Sequence, residues 1–187
     1  MSSVSQREDI AAFQKAAERY CALVEITEER SRADLLFDLG ITLSAVYAAS
    51  LRLPDRDSEA EETPRMKKAY GDAYGRLTAG LGDSGGDRFW DFVNRMDGID
   101  KKKHYRHFVD VLADDLAELY LTLKEGLALL ASGRESEALS EWRLHWFLWG
   151  VYVTRSLATV HACLVAEAAR GFVRDGPNFP VPPTPQG

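Results

Sequence analysis

The sequence predicts an all-α fold, an antiparallel bundle of four to five helices with a long central helix at its C-terminal end. Apolar residues recur every three or four positions in one segment after another, which is the period of a helix. The strand–helix alternation of a parallel sheet is absent, and the short breaks between segments favour packing of sequence neighbours side by side. A chain of 187 residues can bury a full core, so we expect a single domain over residues 1–175.

The first two helices have clear end signals. Ser5 and Glu8 have the spacing of a capping box, which predicts that the first helix begins at Ser5. Ser31 is the predicted N-cap of the second helix. Pro54 is expected to end that helix, because a proline forces the residue before it out of the helical conformation. The apolar stripe of the first helix consists of Ile10, Phe13, Ala17, Tyr20 and Val24.

The middle of the chain has few signals of regular secondary structure. Residues Asp55–Glu62 are acidic and lack apolar anchors, and Thr63–Pro64 then predicts the start of a third helix. The aromatic cluster Phe89–Val93 is too short for periodicity to decide between a strand and a helical turn. A polar turn is predicted at Asp97–Lys103.

Two helices are predicted to organise the rest of the chain. The first begins near Phe108, and Gly133 is expected to end it as a residue with left-handed backbone conformation. Its apolar residues, spaced by three and four, are Val109, Leu112, Leu116, Leu119, Leu123, Leu127 and Leu130. The second is predicted to be continuous from about residue 134 to 170 and is apolar on two nearly opposite sides. Such a helix must be central in the fold or part of a subunit interface.

Composition limits the classes of function. The formal net charge of −6 argues against a dedicated nucleic-acid-binding protein, which carries a basic surface. The N-terminus lacks the pattern of a signal peptide, and the longest apolar run is too short to span a bilayer, so we expect a cytoplasmic protein without a membrane partner. Five of the seven prolines lie in 176–187, which predicts a Pro-rich disordered tail.

Several segments resemble one bacterial protein family. They are ALVE at 22–25, YAASLRLPD at 47–55, FWDFV at 89–93 and LADDLAELYLTLKEGLALLASGRESEALSEWR at 112–143. In this order they resemble the family named domain of unknown function 5063, over most of residues 10 to 165. The last block of that family often ends in His-Trp-Gly, where this chain has Leu148, Trp149 and Gly150, so no role of that histidine carries over. The resemblance implies a helical fold and a bacterial source, and it implies no activity.

An acidic face on the helix that begins near residue 107 is a candidate metal site. His107, Asp110, Asp114 and Glu118 have helical spacing, and such residues can hold a divalent ion when facing helices supply further ligands. No Glu-x-x-His pair occurs in the chain to supply them. A solvated face opposite the leucine stripe is therefore the preferred interpretation, and we expect neither metal nor cofactor.

A second candidate site is aromatic. Trp142, His145, Trp149 and Tyr152 share one face of the last helix and could line a ligand pocket with one titratable group. Aromatic residues at helical spacing are more often ordinary core, so this pocket stays an alternative to a packed interior.

Two classes of function remain open. Arg155 and His161 have the R-x5-H spacing found in HEPN-type ribonucleases, where the pair would activate a ribose hydroxyl and stabilise phosphate. A metal-dependent hydrolase using the acidic face is the other enzymatic alternative. The preferred prediction is a non-catalytic protein acting through protein contacts, as a homodimer joined along Leu144, Leu148 and Val151.

Overall fold

The computed structural model describes residues 4–54, 67–82 and 101–168, with side chains described for 4–54, 68–82 and 111–165. Within these residues the chain is helical throughout, and the predicted all-α bundle is confirmed. The helices are α1 (Val4–Glu25), a single 3₁₀ turn (Thr27–Glu29), α2 (Arg32–Ser50), α3 (Lys67–Leu81), α4 (Lys101–Ala131), α5 (Glu135–Leu144) and α6 (Trp146–Ala168).

Ser31 and Gly133 act as the predicted end signals, but Ser5 does not. The second helix ends at Ser50, four residues before Pro54, which was expected to end it. The Ser31 hydroxyl accepts a hydrogen bond from the backbone N–H of Asp34 at 3.2 Å, which caps α2. Gly133 has φ +79°, and the N–H of Arg134 reaches back to the carbonyl of Leu129 at 3.0 Å, so the left-handed end of α4 is confirmed. The prediction for Ser5 is wrong, because α1 has already begun at Val4 and Ser5 lies inside it.

The middle of the bundle is occupied by α4. It packs against α1, α3, α5 and α6, whereas α6 packs mainly against α2 and α4. The reason is the width of its apolar face, whose fully or nearly fully buried residues include Leu112, Ala113, Leu116, Ala117, Leu119, Tyr120 and Leu123. The central helix is thus the one before Gly133, and the C-terminal helix lies beside it.

The predicted continuous helix from 134 to 170 is interrupted at His145. This residue has φ −89° and ψ 1°, and its backbone N–H bonds to the carbonyls of Glu141 and Arg143 as the end of α5. The carbonyl of His145 then accepts from the N–H of Trp149 at 3.0 Å, in the first turn of α6. The break separates the two tryptophans of the core, Trp142 on α5 and Trp149 on α6, and both are completely buried.

One further boundary differs from prediction. Residues 101–103, expected in a polar turn, already belong to α4. The acidic segment Asp55–Glu62, the Thr63–Pro64 cap, the aromatic cluster Phe89–Val93 and the tail 176–187 lie outside the described residues.

Candidate functional site

A cleft opens beside the break at His145, where α4 and α6 meet. Its volume is about 150 Å³. Three of the four residues predicted to line a pocket are in its wall, and the fourth, Trp142, lies in the core instead. The lining consists of Glu118, Thr122, His145, Leu148, Trp149 and Tyr152.

The imidazole of His145 is held by the helix that precedes it. Its Nδ1 lies 2.9 Å from a carboxylate oxygen of Glu141 and 3.1 Å from the backbone carbonyl of the same residue. Because both neighbours are acceptors, Nδ1 carries the proton and donates it. In the neutral ring, Nε2 is then the nitrogen that can accept a hydrogen bond or a proton. Glu141 itself is buried, with 4% of its surface exposed.

Two polar groups in the wall already donate hydrogen bonds to backbone carbonyls. The Thr122 hydroxyl donates to the carbonyl of Glu118 at 3.1 Å, and Trp149 Nε1 donates to the carbonyl of Trp142 at 2.8 Å. The Glu118 carboxylate, the His145 ring and the Tyr152 hydroxyl also belong to residues that line the cleft. Polar side chains of these kinds can fix the orientation of a small ligand by hydrogen bonds.

An ion pair connects α4 and α6 next to the cleft. Asp115 is almost fully buried, and its carboxylate accepts two parallel hydrogen bonds from Arg155, one of them from Nε at 2.6 Å. The hydrogen bond to Asp115 raises the pKa of Arg155, whose guanidinium also lies 5.8 Å from the centre of the Tyr152 ring. This bidentate geometry fixes the rotation of α6 against α4.

The structure does not bring the predicted ribonuclease pair together. Arg155 points towards α4 to meet Asp115, while His161 is exposed on another face of α6. At about 100° per residue, six positions place the two side chains roughly 120° apart around the helix. The geometry therefore lends no support to the R-x5-H alternative.

The predicted acidic face is divided between two environments. Asp114 accepts a hydrogen bond from the hydroxyl of Tyr70 on α3, and Glu118 lines the cleft. Burial and this bond to Asp114 raise the pKa of Tyr70. The side chains of His107 and Asp110 lie outside the described residues. Among the residues that are described, no group of three or more His, Cys, Asp or Glu is placed to hold a metal ion.

An apolar patch faces solvent at the junction of α5 and α6. Phe147 has 78% of its surface exposed, and the three residues of the predicted dimer contact are each more than half exposed. The four residues of this patch, which we call the α6 patch, are Leu144, Phe147, Leu148 and Val151. Large contiguous apolar surfaces of this kind mark sites of interaction.

Three residues of this region were not singled out from the sequence, although each carries a signal. Asp115 lies at the margin of the leucine stripe of α4, about 80° from its centre, where a charge needs a partner. Glu141 precedes His145 by four residues, the spacing at which helical side chains meet. Phe147 falls three positions after Leu144 and thus on the predicted interface strip.

Comparison with known proteins gives a family and a fold. The family model described as "Domain of unknown function (DUF5063)" matches residues 4–166. The crystal structure of protein BF1032 from Bacteroides fragilis is similar, with a TM-score of 0.62 and 19% sequence identity, over 82% of this chain and 90% of that chain. At this identity the similarity shows the fold alone. No curated protein matches the chain.

Proposed function

The chain belongs to the DUF5063 family, and we propose that it acts through protein–protein contacts, without catalysis, as a homodimer joined through the α6 patch. The observation that carries this proposal is the exposure of the patch. Phe147 is 78% exposed on a helix whose opposite side is buried in the core. An aromatic side chain in that position gains about 1.5–3 kcal/mol when a partner removes it from water.

The polar groups near the cleft support a structural role. Arg155 is engaged by the buried carboxylate of Asp115, and His145 donates to the buried carboxylate of Glu141. Each pair joins two parts of the helical framework, α4 to α6 in the first case and α5 to the break in the second. Their chemistry thus stabilises the surface on which the α6 patch is presented.

The proposal is tested by the mass of the protein in solution. Sedimentation equilibrium over a concentration series is expected to give twice the monomer mass at high concentration. Phe147→Glu places a charge at the centre of the patch and is expected to weaken association by about 30-fold or more, because buried aromatic residues dominate interface energies.

Ile26→Glu is the matched control. Ile26 is also an exposed apolar residue, but it precedes α2, while the α6 patch adjoins the opposite end of that helix, where Trp146 Nε1 meets Ser50 Oγ. The two sites are therefore separated by roughly the 28 Å length of α2. The control is expected to remain dimeric. A wild-type protein that stays monomeric at every concentration would overturn the proposal.

A further inference from the structure

The helices α2 and α6 lie side by side and run in opposite directions. At one end of the pair, Trp146 Nε1 lies 3.4 Å from Ser50 Oγ. At the other end, a Cβ atom added to Gly40 would lie 3.7 Å from both Val160 and Leu164. The last turn of α2 therefore meets the first turn of α6, and the middle of α2 meets the last turns of α6.

Each of these helices presents an uncharged stripe to solvent. The exposed residues of α2 are Ala33, Phe37, Ile41, Ser44 and Ala48. The corresponding stripe of α6 consists of Phe147, Val151, Thr154, Ala158, His161 and Val165. In both helices the stripe is turned by about 70–100° from the side that touches the neighbouring helix, so the two stripes face the same direction. We call them together the α2/α6 face. His161 is its one titratable residue.

The size of this face suits a stable interface. The 19 residues of α2 extend about 28 Å, and two packed helices are roughly 20 Å wide, which gives a projected area of about 560 Å². Because side chains protrude from the helices, the accessible area of this face is larger than its projection. It approaches the ~800 Å² that each partner buries in an interface of standard size. This area is larger than the area of the α6 patch alone.

The distribution of large and small side chains indicates how two faces would fit. Phe37 and Ile41 form a raised corner at the first half of α2, and Phe147 forms another at the opposite end, on α6. Ala48, a small residue, occupies the corner of α2 beside Phe147, and His161 and Val165 occupy the corner of α6 beside Phe37. A two-fold axis parallel to the helices places Phe147 of one copy over Ala48 of the other, and Phe37 of one copy over His161 and Val165 of the other.

We infer that the α2/α6 face packs against the same face of a second copy about such an axis, so that α2 of each copy lies across α6 of the other. This inference rests on the proposed function and adds α2 and the symmetry to it. The chain carries a net charge of −6, so two copies repel each other least where both surfaces are uncharged. The interface is isologous and closes as a dimer.

A lipid bilayer is the competing occupant of an uncharged helical face. Both α2 and α6 are long and apolar enough to cross a membrane by length and composition alone, a test that core helices also pass. Helices that lie on a membrane surface carry Lys and Arg along their polar side, to which anionic lipids bind. Here the net charge is negative, and the opposite sides of both helices are buried against the rest of the bundle. A second copy is therefore the favoured occupant.

The inference is tested with a single new cysteine. Ser44 lies on the side of the α2 stripe nearest the two-fold axis, about 40° from the direction of Gly40. Ser44→Cys is therefore expected to form a disulfide with the same cysteine of the second copy under mild oxidation. Cys21 and Cys163 are buried and do not compete. Ser136→Cys, an exposed position on α5, is the matched control and is expected to stay uncrosslinked.

A second variant separates this inference from the proposed function. Phe37→Glu is expected to weaken association by about 30-fold or more, as Phe147→Glu does, while its circular dichroism stays that of the wild type. Loss of the dimer with Phe147→Glu alone, together with no Ser44→Cys crosslink, overturns the inference and leaves the proposed function standing. A monomeric wild type overturns both. Flotation of the wild type with vesicles of phosphatidylcholine or phosphatidylglycerol would identify the bilayer as the occupant instead.

Discussion

A substitution at Gly126 tests the packing of α4 against α5. Gly126 lies in α4 directly beneath the indole of Trp142, and a Cβ atom added to it would be 2.0 Å from Nε1 and 2.3 Å from Cε2. The indole cannot retreat easily, because Trp142 is completely buried and the ring of Phe13 stands edge-on to it with centroids 4.7 Å apart. We therefore expect Gly126→Ala to destabilise the fold.

The size of the effect follows from two opposing contributions. Ordinary contact distances begin at 3.4 Å, so the new methyl group must displace the indole or its own helix by more than 1 Å. Overpacking of this kind costs about 1–3 kcal/mol, and this overlap belongs at the upper end. Alanine regains up to about 1 kcal/mol of helix propensity. The net loss is about 2 kcal/mol in the free energy of unfolding.

Urea denaturation followed by circular dichroism measures this loss. With a slope of about 2 kcal/mol per molar urea, the midpoint of Gly126→Ala is expected to fall by about 1 M. The control is Gly75→Ala in α3, where nothing lies within 4 Å of the added Cβ atom. It is expected to stabilise the protein by up to about 1 kcal/mol through helix propensity alone.

A double variant tests the mechanism. Trp142→Phe shortens the side chain facing residue 126, and it also removes an Nε1 that has no hydrogen-bond partner among the described residues. The double variant Gly126→Ala/Trp142→Phe is expected to lose less free energy of unfolding than the two single variants lose together, by about 1 kcal/mol or more. Equal stability of Gly126→Ala and the wild type would show that the close approach to Trp142 is not as described.

Two further substitutions and one labelling experiment have expected outcomes. Arg155→Ala leaves the buried carboxylate of Asp115 without its bidentate partner and should lower the free energy of unfolding by about 2 kcal/mol, less than for a fully buried pair because Arg155 is half exposed; a loss below about 0.5 kcal/mol in urea denaturation would contradict this. The hydrogen bond from Lys124 lowers the pKa of Glu25, so this pair stabilises the fold above the ordinary glutamate pKa and the contribution disappears as the pH falls through the lowered value. Lys124→Met should thus cost less than about 1 kcal/mol at neutral pH and nothing once Glu25 is protonated in acid, and a cost independent of pH would refute the assignment. Burial raises the pKa of the Cys21 thiol to about 12, so a thiol-specific disulfide reagent should label it only after unfolding, and rapid labelling of the native protein would show that the core around it is open.

The sequence predicts the core-facing side of α4 and several helix ends well, because these features depend on local patterns. The leucine stripe of α4 faces the core, Ser31 caps α2, and Gly133 ends α4 with positive φ. The break at His145 is different in kind. Neither glycine nor proline marks it, and the conformation of His145 is stabilised by contacts with Glu141 that periodicity does not encode.

The candidate site was predictable only in part, for a related reason. Helical spacing grouped His145, Trp149 and Tyr152, which do line the cleft. It also assigned Trp142 to the same face, because the predicted helix had no break between α5 and α6. The contribution of Glu118 depends on how α4 is rotated against α6, and the Asp115–Arg155 pair sets that rotation across 40 residues of sequence. Contacts at such separation leave no local pattern.

The central place of α4 also bears on how the chain is made. The hydroxyl of Tyr20 on α1 donates to the carbonyl of Leu116 on α4 at 2.7 Å, across 96 residues. The N-terminal helices leave the ribosome long before this partner exists, with Phe13 and the leucines of α2 unable to bury themselves. Translation must therefore pass residue 131 before the interior can close, and a nascent chain stalled earlier is a natural client for chaperones.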